Sequence, residues 1–189
     1  MLWLLVLGVL FFSLVHLFPC VMPARREALL DSMGRRYQGI FALTILSSVV
    51  LMVIGWRNTV PVPVYTPPEW GRHLTMLLML ISIVLFGAAN SGTRLKRFIR
   101  NPMLSGMIVW GVAHLLANGD IRSVVLFGGL TVWAIVSIVF SNRRDGAWTR
   151  PGSLVSWLDE VKLIGLSAIV YVVLIFLHPY FTGVSIVPR

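Results

Sequence analysis

Met1–Phe18 reads MLWLLVLGVLFFSLVHLF, eighteen residues without a single Asp, Glu, Lys or Arg. At ~1.5 Å of rise per residue such a run makes a helix of about 27 Å, close to the ~30 Å hydrocarbon core of a bilayer. No basic residue precedes it and no small-residue cleavage site lies before Arg25, so it reads as a retained span rather than a secretory signal. Leu17, Phe18 and Pro19 ahead of Cys20 do not form a lipoprotein signal, and Cys20 reads as an interfacial bystander.

Five further apolar stretches follow: Ile40–Trp56, Leu74–Ala89, Met103–Ala117, Ile121–Phe140 and Leu163–Leu177. The fourth of the six carries Gly106, Gly111 and His114 and sits at the lower limit of spanning length. The whole chain agrees: 57% of its 189 residues are hydrophobic and only 12% charged, with a mean hydropathy of +0.86, which excludes a soluble domain. The net charge of +9 does not imply a nucleic-acid partner, because the Lys and Arg residues sit in short clusters between apolar runs.

Those clusters set topology. The first, third and fifth connections hold Arg25, Arg26, Arg35 and Arg36; Arg94, Lys96, Arg97 and Arg100; and Arg143, Arg144, Arg150 and Lys162, twelve of the sixteen basic residues. The remaining four, Arg57, Arg72, Arg122 and Arg189, fall on the other side. The positive-inside rule makes the odd connections cytoplasmic. The predicted fold is therefore an all-α polytopic membrane helix bundle, residues 1–189 as a single domain, with six transmembrane helices and both termini extracytoplasmic. Pro61, Pro63, Pro67 and Pro68 predict an extended second connection packed on the surface. Asn118 and Gly119 predict a tight turn before the fifth span, with Asp120 as its N-cap.

Within such a chain, intramembrane ionisable groups are costly and mark function. His16 and His114 lie inside spans, while His73 and His178 lie near span ends. Met107, Gly111, His114 and Asn118 follow at helical steps and share one face, where Gly111 offers a flat surface that suits either a planar macrocycle ligated by His114 or close helix packing. Gly8, Phe12 and His16 form a similar stripe, readable as a helix contact through Gly8. The spans contain no Asp or Glu, which disfavours a proton-coupled transporter, and no P-loop, H-E-x-x-H or Ser-His-Asp pattern is present. A lone cysteine permits neither a disulfide within the chain nor a cysteine metal cage.

The segments RNPMLSGMIVWGVAHLLANGD (Arg100–Asp120), LVHLFPCVMPARR, RRYQGIFAL and FLHPYFTGVSIVPR together resemble the NnrU family, named for an association with nitrite and nitric oxide metabolism in denitrifying bacteria. That family is similar to the plant 15-cis-zeta-carotene isomerase, a membrane enzyme that binds haem b through histidine. The resemblance implies a multi-pass protein of the bacterial inner (plasma) membrane, surrounded by lipid, with haem b as cofactor. It also implies a redox partner or a lipophilic substrate, with cis-trans isomerisation the first activity to consider should the chain be an enzyme. By position it implies His16 and His114 as metal ligands, with Gly111 and Asn118 beside the cofactor. Gly111 stands where the isomerase has a cysteine, Asn101 replaces the histidine of an Arg-His-Pro element, and Leu17 replaces a serine; these departures bear on retention of the carotenoid chemistry.

Helix rise gives a test of that ligand pair. His16 lies about 22 Å from Met1, near the cytoplasmic side, whereas His114 lies about 18 Å from Pro102, in the outer half. The pair is mismatched by roughly 10 Å in depth on a core of ~30 Å. His178, about 24 Å from Lys162, matches His114 better and is the alternative ligand. Two other functions compete. Arg100–Gly106 is similar in part to the Arg-His-Pro-x-Tyr-x-Gly element of membrane methyltransferases that use S-adenosylmethionine, and a non-catalytic assembly subunit of a respiratory complex needs no site at all.

Overall fold

The computed structural model describes residues 1–152, 156–184 and 186; Arg189, counted above with the outer basic residues, lies outside them. Six helices correspond to the six apolar stretches, and among the described residues there is no strand. They are α1 (Leu2–Val21), α3 (Arg35–Arg57), α4 (Gly71–Ala89), α5 (Pro102–Ala117), α6 (Ile121–Asp145) and α7 (Trp157–Thr182), with a shorter α2 (Pro23–Met33) in the first connection. Five are long and apolar enough to cross a bilayer, and α5, at 16 residues, is the short sixth.

The observed helices overrun the predicted apolar limits where polar residues have their own reasons to be helical. α3 begins at Arg35 rather than Ile40, since long basic side chains reach interfacial water from inside a helix. α7 begins at Trp157, where the Ser156 hydroxyl accepts the Leu158 N–H at 3.2 Å and Asp159 and Glu160 complement the positive helix end. α2, absent from the sequence reading, starts on Pro23 and continues through strong helix formers (Ala24, Arg25, Arg26, Glu27, Ala28, Leu29); it buries no residue.

Packing follows the small residues. A Cβ at Gly8 would lie 2.8 Å from Met52, and one at Gly55 would strike the Leu5 backbone, so α1 and α3 meet backbone to backbone. Gly106 lets α5 approach the Ser82 carbonyl of α4, whose Ser82 hydroxyl in turn donates to the Gly106 carbonyl at 2.8 Å. α6 lies between these two pairs, with Gly129 against Val9 of α1 and Thr131 against Gly111 of α5. Lipid offers no hydrophobic drive between helices, so these close approaches and the buried Leu5, Val9, Met52 and Leu130 cluster carry the association. The order is α3, α1, α6, α5, α4, α7, an arc whose two ends are α3 and α7.

Hydrogen bonds sort the connections into two faces. On one, Val64 and Tyr65 N–H donate to the Gly119 carbonyl (2.8 and 3.1 Å) and Ile121 N–H donates to Val62, so the proline-rich connection runs extended against the turn after α5. On the other, Arg100 donates to the Gly146 carbonyl (2.8 Å), Asn101 to Asn142 (2.9 Å) and Thr93 to Glu160 (3.0 Å). The clustered basic residues share the second face, which the positive-inside rule makes cytoplasmic. Six crossings return the chain end to the face on which it began.

Asp120 caps α6 as predicted, accepting from Arg122 N–H (3.0 Å), Ser123 N–H (3.3 Å) and the Ser123 hydroxyl (2.6 Å). Partial burial pushes its carboxyl upward, but the Ser123 and Arg122 hydrogen bonds outweigh that and hold it below the ordinary carboxylate value. A depressed folded-state value stabilises the fold above the unfolded value and is lost as pH falls through the folded one. Asp120→Ala is expected to cost about 1–2 kcal/mol in thermal or denaturant unfolding. Asp120→Asn keeps a cap, and the wild-type advantage over it should be full above about pH 4 and fade below.

Candidate functional site

Because α3 and α7 close the arc without packing tightly on each other, a groove is left between them on the side facing α4, α5 and the first turns of α6. Two adjoining cavities lie there, one of about 350 Å3 between α3 and α7 and one of about 390 Å3 among α4, α5 and α7. His114, His178, Asn118, Met79, Leu174 and Val184 border both. The larger adds Arg72, Met76 and Tyr171; the smaller adds Trp56, Arg57 and Phe127. Their walls are otherwise aliphatic and aromatic, as ligand sites usually are.

His114 is held from two directions. Its Nδ1 lies 2.8 Å from the Trp110 carbonyl, and its ring stacks on Phe127 with centroids 4.3 Å apart and planes 20° apart. A carbonyl only accepts, so Nδ1 carries the proton and Nε2 keeps its lone pair in the neutral ring. Phe127 reaches that position from a π-helical stretch, Val124–Gly128, inside α6; such stretches are frequent at functional sites. His178 repeats the arrangement: its Nδ1 lies 2.9 Å from the Val184 carbonyl and 3.1 Å from the Thr182 hydroxyl. Asn118 donates to the His114 carbonyl at 2.9 Å, closing the end of α5, and its own carbonyl accepts from the Tyr65 hydroxyl at 2.9 Å.

His16 stands elsewhere. Its Nδ1 lies 3.0 Å from the Phe12 carbonyl and its ring contacts Phe12, Trp133 and Phe41 (centroids at 4.0, 5.3 and 5.8 Å), bordering neither cavity. The structure thus brings His114 together with His178 rather than with His16, in keeping with the depth mismatch along the helices. Gly8, on the His16 stripe, makes a helix contact. His73 is exposed at the start of α4.

Gly111 departs from the expected flat surface beside a cofactor. A Cβ there would strike the Thr131 hydroxyl and lie 2.8 Å from the Phe127 carbonyl, so the glycine is spent on the α5–α6 contact, the close-packing alternative. The residues similar to the methyltransferase element are also engaged structurally: Arg100 and Asn101 tie α5 to the end of α6, and Pro102 starts α5.

The sequence reading passed over Tyr171, Arg57 and Arg72 as site residues. The Tyr171 hydroxyl donates to the Met76 carbonyl at 2.9 Å and fixes α7 against α4. Arg57 and Arg72 stand at the outer ends of α3 and α4, one bordering each cavity. The only sequence signal for the two arginines was their departure from the cytoplasmic clusters.

The fold is that of a polytopic helical membrane protein with a histidine-bearing groove. A family model described as NnrU protein matches residues 4–186, and the chain belongs to the NnrU family. No curated protein matches the chain, and no solved structure does.

Gly111→Ala is expected to destabilise the protein by about 1–3 kcal/mol through overpacking against α6, seen as a lower unfolding temperature in detergent. A double variant that adds Thr131→Ser removes a methyl but leaves the hydroxyl, and should recover little of the loss; Thr131→Ala should recover more.

Proposed function

We propose that this chain is a haem b-binding protein of the bacterial inner membrane, with His114 and His178 as the ligands, serving a redox-linked step in nitrogen-oxide metabolism or on a lipophilic substrate. The observation that carries the reading is the pair of imidazoles bordering the same groove, each with Nδ1 committed to a backbone carbonyl. That second-sphere bond is what metal-ligating histidines usually have: it fixes the tautomer and leaves Nε2 free to bind.

The rest of the donor set fits the group. Haem is apolar across its ring and anionic at two propionates, and the groove is aliphatic and aromatic within with Arg57 and Arg72 at its outer ends. Among the described residues neither arginine makes an ion pair. No cluster of three or more His, Cys, Asp or Glu competes for a bare ion among the described residues. When bound, the group supplies an iron that exchanges one electron, its potential set by the ligands and the low-dielectric walls. The protein's own part is to hold the imidazoles through Trp110, Phe127 and Val184 and to pair two carboxylates with Arg57 and Arg72. The opening between α3 and α7 admits a lipophilic molecule from the bilayer. Membership of the NnrU family supports the link to nitrogen-oxide metabolism.

Protein purified from haem-replete cells should show a Soret band. His114→Ala and His178→Ala should each lower bound haem by roughly tenfold or more, whereas His16→Ala should leave the spectrum unchanged. Absence of the band from wild type overturns the haem assignment; loss of it in His16→Ala with His178→Ala intact overturns the ligand pair.

A further inference from the structure

At the opposite, cytoplasmic face a separate cavity of about 610 Å3 lies among the ends of α1, α3 and α6 and the start of α2. Its ionic lining is mixed: Arg26 and Glu27 from α2, Arg144 and Asp145 from α6. Arg144 and Asp145 are already paired at 2.7 Å, and Arg144 also reaches the Pro19 carbonyl at 3.5 Å. Arg26 and Glu27 remain, a cation and an anion adjacent in sequence, each with no ion-pair partner among the described residues. Tyr37 also borders the chamber, with its hydroxyl shut off from solvent.

The cavity does not end at the interface. Tyr37 and Phe41 also line a second, almost wholly apolar groove of about 360 Å3 that continues along α1 and α3 past Phe11, Leu14, Phe18 and Ile40. A polar chamber at head-group level beside an open apolar groove of hydrocarbon depth, the two sharing Tyr37 and Phe41, has the outline of a glycerophospholipid. The charges narrow the class. A head group with only a phosphate would pair with Arg26 but leave Glu27 without a counter-charge, whereas one with a phosphate and a primary ammonium matches both signs.

We propose that this chamber and groove bind one phosphatidylethanolamine molecule, its phosphate on Arg26, its ammonium on Glu27, and an acyl chain in the α1–α3 groove. Basic pockets between membrane helices on the cytoplasmic side are suited to lipid head groups, and here the added carboxylate selects the zwitterion. A quaternary ammonium has no N–H to donate, so phosphatidylcholine cannot make the Glu27 bond.

The test is lipid titration of the full-length, detergent-solubilised protein by native mass spectrometry, using phosphatidylethanolamine, phosphatidylcholine and phosphatidylglycerol of matched chains, with soluble phosphoethanolamine as competitor. Wild type should bind phosphatidylethanolamine about tenfold more tightly than the other two, the worth of one charge-assisted hydrogen bond. Glu27→Gln should abolish the preference over phosphatidylcholine, and Arg26→Gln should weaken binding of all three lipids. Equal binding of phosphatidylcholine, preference for phosphatidylglycerol, an unchanged preference in Glu27→Gln, or displacement by phosphoethanolamine at concentrations comparable to the lipid would each overturn the assignment. The haem spectrum is independent of every one of these outcomes.

Discussion

The contact on which the rest of the molecule turns is the approach of Gly111 to Thr131 and the Phe127 carbonyl. In lipid the gain from bringing two helices together is van der Waals packing and hydrogen bonding, and both need backbones that can come close. α1 with α3 and α4 with α5 are two tightly packed pairs, and α6 joins them, with Gly129 against Val9 on one side and Thr131 against Gly111 on the other. A larger residue at 111 would part the pairs, and the groove between α3 and α7 exists only because the pairs meet at the angle α6 sets.

That junction also builds the site. The same π-helical stretch that brings the Phe127 carbonyl to Gly111 lays the Phe127 ring on His114. Above it, the Asp120 cap, Arg122 over the Trp56 ring at 4.6 Å and the Tyr65 hydroxyl bonded to the Leu115 and Asn118 carbonyls bind the outer ends of α3, α5 and α6 together. The outer face is thereby ordered by hydrogen bonds to backbone. The cytoplasmic face is instead dense in arginine, and its ionic groups are only partly paired. The two candidate sites reflect that division: an aromatic and imidazole groove at one end, a mixed-charge chamber at the other.

Much of this was legible in the residues. Six apolar stretches, the sidedness of the arginines, the Asp120 cap and the extended proline-rich connection all follow from local chemistry, and the structure repeats them. The depth of His16 against His114 could be measured with a helix ruler, and it already pointed to His178 as the better match in height. What a ruler cannot give is azimuth. Gly111 lies on the His114 face by helical step, but whether that face meets a cofactor or another helix depends on where α6 sits, which no local pattern encodes. For the same reason Arg57 and Arg72 looked like scattered outer charges, although each borders a cavity. α2 was missed because its residues are too polar for a hydropathy reading, even though Pro23 and the run after it are sound helix formers.

The π-helical stretch has a bearing on how the chain tolerates change in length. A π turn is a helix carrying one surplus residue, so removing any residue from Val124–Gly128 would restore regular α-helical bonding and at the same time turn everything after it by about 100°. Thr131 would leave Gly111, and ten and eleven residues later the far end of α6 would lose Ser141 from Cys20 and Asn142 from Asn101. The locally more regular helix would be the globally misassembled one. A single-residue deletion there is accordingly a far larger change than the same deletion in the second connection, and the irregularity acts as the phase setting that keeps both faces of the molecule in step.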